Sequence, residues 1–301
     1  MTGVMTFQLL DWSPPVDVHL RQDAVNDGLT KDLTIDFTAF KNWTRILKEN
    51  LCKQMQSGPT YLEDPWALKE IIIHNVSFSS KHRIRYMTIE ARLRRTNGIG
   101  EPKELNRIVF LRGGSVGMLM ILRPRDSHLE RYVIMTEQPR LGAGSMGFLE
   151  IPAGMLNDSP EVQGKVLEKI EEETGFTIQK DELIDLTELA LRGVETADTV
   201  QEGMYPSPAN LDEFFHLFVW EKELDRLEIE DLKSRLTGLR KHQDMITLVL
   251  CNYEDVWKRG ARDAKTLAAW ALYEGLSREG KIQDELYRIR TGRSMSEMAW
   301  S

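Results

Sequence analysis

Three consecutive glutamates are the strongest candidates for chemistry in this chain. Glu171 to Glu173 stand directly before Thr174-Gly175, at the end of a segment from about Gln163 whose apolar spacing predicts a helix. Carboxylates crowded into one helical turn repel one another, so they are usually either well solvated or held by divalent cations. Because Mg²⁺ keeps water or phosphate oxygens among its ligands, the pattern points to phosphate-ester or pyrophosphate chemistry. A solvated acidic helix face is the alternative reading.

Strands and helices alternate around this segment. The helix of residues 36–47 places Phe40, Trp43 and Leu47 on one face, with Asp36 as its predicted cap, and a helix is also expected over 264–274. Segments rich in β-branched and aromatic residues predict strands at 70–78, 84–93, 108–114, 116–122, 132–138 and 214–220. The interleaving favours an α/β or α+β layered fold.

Composition and charge exclude several classes of function. The 301 residues carry a formal net charge of −8 and no obvious basic patch, which argues against binding to nucleic acid or to an anionic membrane surface. No apolar run is long enough to span a bilayer, and the N-terminus lacks the pattern of a signal peptide. Cys52 and Cys251 are too far apart for a CxxC motif and are expected to be reduced thiols. A cytoplasmic location is therefore expected.

The residues before the acidic turn extend the pattern. The stretch LEIPAGML at 149–156 leads into a helix that ends in EEETGF, with Gly154 opening the motif and Ile170 at its apolar position. In this register Glu172 and Glu173 form a Glu-Glu pair before the final glycine, Gly175. The run resembles the signature of the Nudix hydrolases. That resemblance implies an α/β fold, the Nudix α/β/α sandwich with a mixed sheet, preceded by a strand-rich N-terminal domain with one helix.

Further segments are similar to the ADP-sugar branch of that family, and most of all to plant-type ADP-sugar diphosphatases. They are Arg112-Gly113, TEQPR at 136–140, YPSP at 205–208, Asp212-Glu213 and Asp263-Ala264-Lys265. The resemblance implies Mg²⁺-dependent or Mn²⁺-dependent attack of water on the pyrophosphate of a nucleotide sugar such as ADP-ribose or ADP-glucose. The products would be a nucleoside monophosphate and a sugar phosphate.

The resemblance also implies roles for individual residues. Glu168, Glu172, Glu173 and the carbonyl of Ala153 would hold the metal, and Glu172 and Glu213 would be catalytic, with Glu213 positioning or deprotonating water. The substrate-binding side chains would be Arg112, Arg140 and Glu137, since guanidinium groups suit phosphate oxygens. For Arg112, an ion pair at a strand end is an equally good reading.

The motif departs from the family at its centre. An Arg-Glu pair is usual there, and this chain has Glu168-Lys169. A protonated Lys169 cannot bind Mg²⁺, and its ammonium could take the cation's place; Glu168 is rotated by about 100° from that position on an ideal helix. After Pro208 the branch usually has two glycines, where this chain has Ala209-Asn210. The alternative hypothesis is therefore an impaired pseudoenzyme that binds a nucleotide sugar or serves as a dimeric scaffold.

The predicted domains follow from the resemblance. Residues 1–115 are expected to form the N-terminal domain for dimerisation and substrate binding, 116–285 the Nudix domain, and 286–301 a C-terminal tail. Dimerisation of two copies through the strands between about Lys69 and Leu93 is also implied.

Overall fold

The computed structural model describes residues 5–54, 64–80, 83–95, 102–127, 129–156, 164, 167, 170, 171, 174–236 and 246–292. The chain divides into two compact units. The N-terminal unit comprises Met1–Gly114, Val194–Gln201 and Tyr205–Phe214, and the C-terminal unit comprises Ser115–Gly193, Glu202–Met204 and Phe215–Ser301. Two segments between 194 and 214, which the sequence assigned to the second domain, thus cluster with the first.

The N-terminal unit is built on a sheet with strand order β1-β2-β3-β4-β5. The β2/β3 pair is parallel and the other pairs are antiparallel. Its strands are β1 (Met5–Leu9), β2 (Val16–Leu20), β3 (Ala67–Ser80), β4 (Arg83–Arg95) and β5 (Lys103–Leu111). Its helices are α1 (Gln22–Asn26), α2 (Lys31–Asp36) and α3 (Thr38–Lys53).

Alternation along β4 explains how this sheet buries one face. Met87, Ile89, Ala91 and Leu93 are buried in the core of the unit, while the residues between them are less buried. Period-2 burial of this kind is what places one face of a strand against a core. Phe40 of α3 packs into the same core, as its helical spacing predicted.

Two expectations for the helices of this unit are wrong. The described part of the unit holds three helices rather than one, because α1 and α2 precede the predicted helix. Asp36 does not cap α3: it is the last residue of α2, and Phe37 stands at the N-terminal cap of α3 without a side-chain hydrogen bond.

The C-terminal unit contains a mixed sheet of strand order β10-β11-β6-β7-β12, with β8 paired to β7 and β9 paired to β6. The β11/β6 pair is parallel and the other pairs are antiparallel. The strands are β6 (Ser115–Pro124), β7 (Tyr132–Arg140), β8 (Ser145–Glu150), β9 (Ala153–Met155), β10 (Ile184–Asp185), β11 (Phe215–Leu224) and β12 (Thr247–Asn252). The helices are α4 (Leu186–Leu191), α5 (Arg226–Leu236), α6 (Val256–Arg259), α7 (Ala264–Arg278) and α8 (Lys281–Thr291).

The central strand β6 carries a core on each of its faces. Leu119 and Ile121 belong to one apolar cluster with residues of α4, α7 and α8, whereas Met118 and Met120 belong to another that includes Ile229 of α5. Successive side chains of a strand point to opposite faces, so a strand covered on both sides must be apolar at nearly every position. The predicted α/β/α sandwich with a mixed sheet is confirmed.

Helix α8 extends the folded part of the C-terminal unit past residue 286, where a tail was predicted to begin. It runs from Lys281 to Thr291, across the predicted start of a tail at residue 286. Leu286 and Ile289 pack against the core cluster of the C-terminal unit. The segment 286–291 is therefore part of the folded unit. In the part of the chain that the structure describes, no helix is both long and apolar enough to cross a membrane.

His216 in β11 gives the stability of this unit a dependence on pH. Burial alone would lower its pKa, but a 2.6 Å contact of Nε2 with Asp185 Oδ2, and the charge of that carboxylate, outweigh burial and raise the pKa. A raised pKa in the folded state stabilises below the unfolded value of about 6.5, and this contribution disappears as pH rises through the folded pKa. We expect the unfolding free energy of the wild type to fall relative to that of His216→Gln above about pH 6.5. The measurement is urea unfolding of both proteins at a series of pH values on either side of about 6.5. If the unfolding free energies of the wild type and His216→Gln changed in parallel with pH, the assignment to His216 would be contradicted.

Candidate functional site

The predicted metal ligands of the acidic helix, Glu168, Glu172 and Glu173, lie outside the described residues, as does Lys169. Among the residues that the structure does describe, no group of three or more His, Cys, Asp or Glu side chains is arranged to hold a metal ion. The assignment of Glu168, Glu172 and Glu173 as metal ligands stays a prediction.

The described residues next to them form the predicted end of a helix. Ile170 and Thr174 are buried, and Glu171 between them is exposed. Thr174 Oγ1 donates to the carbonyl of Ile170 at 2.6 Å, and the Gly175 amide donates to the carbonyl of Glu171 at 2.9 Å. Gly175 has a φ of 77°, which is the left-handed conformation that commonly ends a helix.

Ala153, whose carbonyl is the remaining predicted ligand, lies in the short strand β9. It pairs with Gly117 at the start of β6. A Cβ at position 117 would come within 3.0 Å of Leu217 and 3.2 Å of Ile151, so a glycine here lets the segment that leads to Ala153 lie close to the sheet. The backbone of this segment is thus fixed by packing and by strand pairing.

A buried ion cluster lies directly before this segment. Glu150, at the end of β8, is 1% exposed. Its Oε2 accepts a hydrogen bond of 2.9 Å from Lys265 Nζ, and the same ammonium donates to Asp263 Oδ1 at 2.8 Å. Arg140 Nη2, from the end of β7, forms an ion pair with Glu150 Oε1. We call these four residues the Glu150 cluster.

The Glu150 cluster is joined to the backbone of the motif through a threonine. Asp263 Oδ2 accepts from the amide of Thr266 at 3.0 Å and from its hydroxyl at 2.7 Å, which caps the start of α7. The amide of Ile151 donates to Thr266 Oγ1 at 3.0 Å. Ile151 is two residues before Ala153, so the cluster helps to fix the segment that carries the predicted carbonyl ligand.

Electrostatics keep the buried lysine charged. Burial alone would lower the pKa of Lys265, but the charges and hydrogen bonds of Asp263 and Glu150 raise it. Two carboxylates and two cations therefore balance within the Glu150 cluster, which is the condition for burying charges at tolerable cost.

Glu137, on β7, lies apart from the Glu150 cluster. Its side chain is exposed, and a Cβ at Gly147 of β8 would come within 2.5 Å of Glu137 Oε1. In the described residues no ion pair joins Glu137 to Arg140. The structure thus places these two predicted substrate-binding residues on the same strand without contact between their charges.

The other predicted residues, Arg112 and Glu213, lie in the N-terminal unit and are in contact. Arg112 Nη1 is 3.4 Å from Glu213 Oε2, and Glu213 is 8% exposed. Asp212 Oδ1 accepts from the amide of Arg112 at 2.7 Å, and Asp212 Oδ2 accepts from the amide of Gly113 at 3.1 Å. Burial raises the pKa of Asp212. Asp212 therefore ties the end of β5 to the loop that carries Glu213.

Asn210 gives the same loop a second attachment at a position where the branch usually has glycine. Its side-chain amide donates to the carbonyl of Ile108 at 2.8 Å, and its own carbonyl accepts from the amide of Phe110 at 2.8 Å. The asparagine side chain therefore adds a hydrogen bond to β5 beside the backbone hydrogen bond, which a glycine at this position could also make.

Sequence reasoning assigned no role to Glu150, Lys265 or Asp212. All three lie in segments that resemble the family: Asp212 is next to Glu213, Lys265 is in the Asp263-Ala264-Lys265 motif, and Glu150 is in the stretch LEIPAGML. For Lys265 the available signal was a charged residue at the start of the helix predicted over 264–274; Glu150 and Asp212 lie outside the predicted strands and gave no such signal.

Comparison with known proteins places the chain in a family. No family model matches it. It is 32% identical over 253 residues to "Nudix hydrolase 14, chloroplastic" from Arabidopsis thaliana, a match that covers 83% of this chain and 74% of that relative. A solved structure described as "Crystal structure of ADP compounds hydrolase" aligns with 71% of this chain and 98% of its own at 16% identity and a TM-score of 0.40, a similarity too low to bear on function. The Arabidopsis relative confirms the resemblance predicted from the motif, and this chain belongs to the Nudix hydrolase family.

Proposed function

We propose that this Nudix hydrolase cleaves the pyrophosphate bond of a nucleotide sugar, such as ADP-ribose or ADP-glucose, to a nucleoside monophosphate and a sugar phosphate. The observation that carries the proposal is the relationship to a Nudix hydrolase over 83% of the chain, combined with the register from Gly154 to Gly175. The motifs of the ADP-sugar branch outside that register support the choice of substrate class.

The proposed metal is Mg²⁺ or Mn²⁺, held by Glu168, Glu172, Glu173 and the carbonyl of Ala153. This donor set contains oxygen only, which suits hard divalent cations. When bound, such a cation neutralises phosphate charge and lowers the pKa of a bound water.

The remaining roles belong to side chains of the chain itself. Arg112 and Arg140 would bind diphosphate oxygens through their guanidinium forks, and Glu137 would bind the substrate. Glu213 would accept a proton from the attacking water, and Glu172 would also act in catalysis. The ion pair of Arg112 with Glu213 supports this proposal in that it brings the two side chains together; it is also the strand-end ion pair that the sequence left open as the alternative for Arg112.

Two further features are proposed with the function. Two copies of the chain would pair through β3 and β4, as the resemblance implies. A cytoplasmic location stays a prediction from the sequence; the word "chloroplastic" in the name of the relative applies to that relative.

The test is an assay of nucleotide diphosphate compounds with Mg²⁺, with Mn²⁺ and with a chelator. We expect the wild type to release nucleoside monophosphate in the presence of metal, and Lys169→Glu to raise the rate by restoring a carboxylate at a usual ligand position. Glu173→Gln should lose activity. Glu171→Gln is the matched control, because Glu171 is outside the Glu-Glu pair of the motif and accepts a hydrogen bond of 2.9 Å from Thr177 Oγ1.

Each outcome of this assay has a defined meaning. No cleavage by the wild type at high enzyme concentration would overturn the hydrolase proposal in favour of a pseudoenzyme. Activity that arises only in Lys169→Glu would show that the lysine blocks the metal site. Equal activity in the wild type and Glu173→Gln would overturn the metal assignment.

A further inference from the structure

The Asp263-Ala264-Lys265 motif contains a charged group that the proposed function does not use. Lys265 is 13% exposed at its side chain, and its ammonium bridges two buried carboxylates, Glu150 and Asp263. Burying a charged lysine costs free energy unless opposite charges nearby compensate the loss of hydration. The neighbour that reaches solvent is Arg140, whose side chain is 40% exposed.

The two oxygens of Glu150 are divided between two cations. Oε2 accepts a hydrogen bond from Lys265, and Oε1 forms the ion pair with Arg140. Although Oε1 is buried, no described residue is its partner in hydrogen-bond geometry, so the contact with Arg140 is mainly electrostatic. A guanidinium group has five N–H donors, and this contact leaves donors available to a ligand.

We infer that Lys265 is a positioning residue for substrate binding: by neutralising Glu150, it keeps the guanidinium of Arg140 available to the diphosphate. The inference rests on the proposed function, in which Arg140 binds the diphosphate. Without Lys265, two buried carboxylates face one cation within the Glu150 cluster. Glu150 then draws Arg140 inward, and the diphosphate must compete for the same donors with a carboxylate that Lys265 no longer balances.

The expected signature is a change in substrate affinity rather than in the chemical step. Lys265→Met should raise KM for ADP-ribose by about tenfold, the effect of weakening one charge-assisted hydrogen bond, with kcat changed far less. The double variant Glu150→Gln/Lys265→Met removes the carboxylate that draws Arg140 inward. We therefore expect its KM to return most of the way to the wild-type value.

Two variants separate positioning from folding. Lys222→Met is the matched control, because it removes a 2.7 Å ion pair with Glu182 in the same unit and should leave KM unchanged. Lys265→Gln keeps a hydrogen-bond donor near both carboxylates but lacks the charge, so it serves if Lys265→Met does not fold. It should raise KM in the same direction.

The measurements are steady-state kinetics with ADP-ribose, its dissociation constant by calorimetry without metal, and the melting temperature of each variant. If the wild type cleaves ADP-ribose and both Lys265 variants keep its KM and dissociation constant, this inference fails and the proposed function stands. A loss of kcat at constant KM, or no recovery in the double variant, would also overturn it. A wild type that neither cleaves nor binds any nucleotide sugar overturns both proposals.

Discussion

Glu213→Gln is expected to lower kcat for nucleotide-sugar hydrolysis by about 10²- to 10⁴-fold, the usual contribution of a general base. Glutamine has nearly the same size as glutamate but cannot take a proton from water. Glu213 is 8% exposed and lies next to Asp212, which is fixed by the backbone amides of Arg112 and Gly113. The loop should therefore keep its conformation in the variant. Because the variant also removes the charge that pairs with Arg112, the loss of kcat rather than a change in KM tests the role of Glu213 as general base.

The control for this variant is Glu195→Gln, which removes the charge of an exposed glutamate in the same unit. It should keep the wild-type kcat. Glu195→Gln should melt within about 2 °C of the wild type, because surface substitutions usually change stability by less than about 0.5 kcal/mol. Glu213→Gln removes the charge of a buried side chain that pairs with Arg112, so it should melt at a lower temperature, and kcat is compared where both proteins are folded. Wild-type kcat in Glu213→Gln would remove the residue from the catalytic step.

Most of the fold could be predicted from local patterns in the sequence. The strand predicted at 84–93 is β4, which runs from Arg83 to Arg95 and alternates between buried and less buried positions. The strand predicted at 116–122 is β6, Ser115–Pro124, which is apolar at nearly every position and covered on both faces. Both signals arise within one strand, because burial of one face or of both faces determines which positions must be apolar. The end of the helix at Gly175 was also predictable from a local signal, because glycine is the residue that most readily adopts the left-handed φ found there.

Contacts between distant positions could not be predicted in this way. The hydrogen bond of Arg112 with Asp212 joins residues 100 positions apart, and that of Lys265 with Glu150 joins residues 115 apart. Nothing in the local composition of either segment indicates its partner. The sequence therefore shows that Asp212 and Lys265 can be charged, but not which residues they bind. The failed cap at Asp36 is a smaller case: the residue has the right type for a cap, but the preceding helix α2 already includes it.

Asp263→Ala is expected to lower the unfolding free energy by about 3–5 kcal/mol, the usual cost of removing one partner from a buried ion pair. Asp263 is 5% exposed and accepts hydrogen bonds from Lys265 and from both the amide and the hydroxyl of Thr266. Its loss leaves the buried charges of the Glu150 cluster unbalanced and also removes the cap of α7. Urea unfolding followed by circular dichroism would measure the change.

Two further variants divide this cost between the cap and the charge. Thr30→Ala removes a cap without an ion pair, the 3.2 Å bond from the Leu33 amide, and should cost about 1 kcal/mol. Asp263→Asn keeps a side-chain oxygen for the Thr266 amide but removes the negative charge, so its loss should fall between the other two. If Asp263→Ala cost no more than Thr30→Ala, the carboxylate would matter only as a cap. Lys265 would then be balanced by Glu150 alone, and the charge argument for Arg140 would have to be made without Asp263.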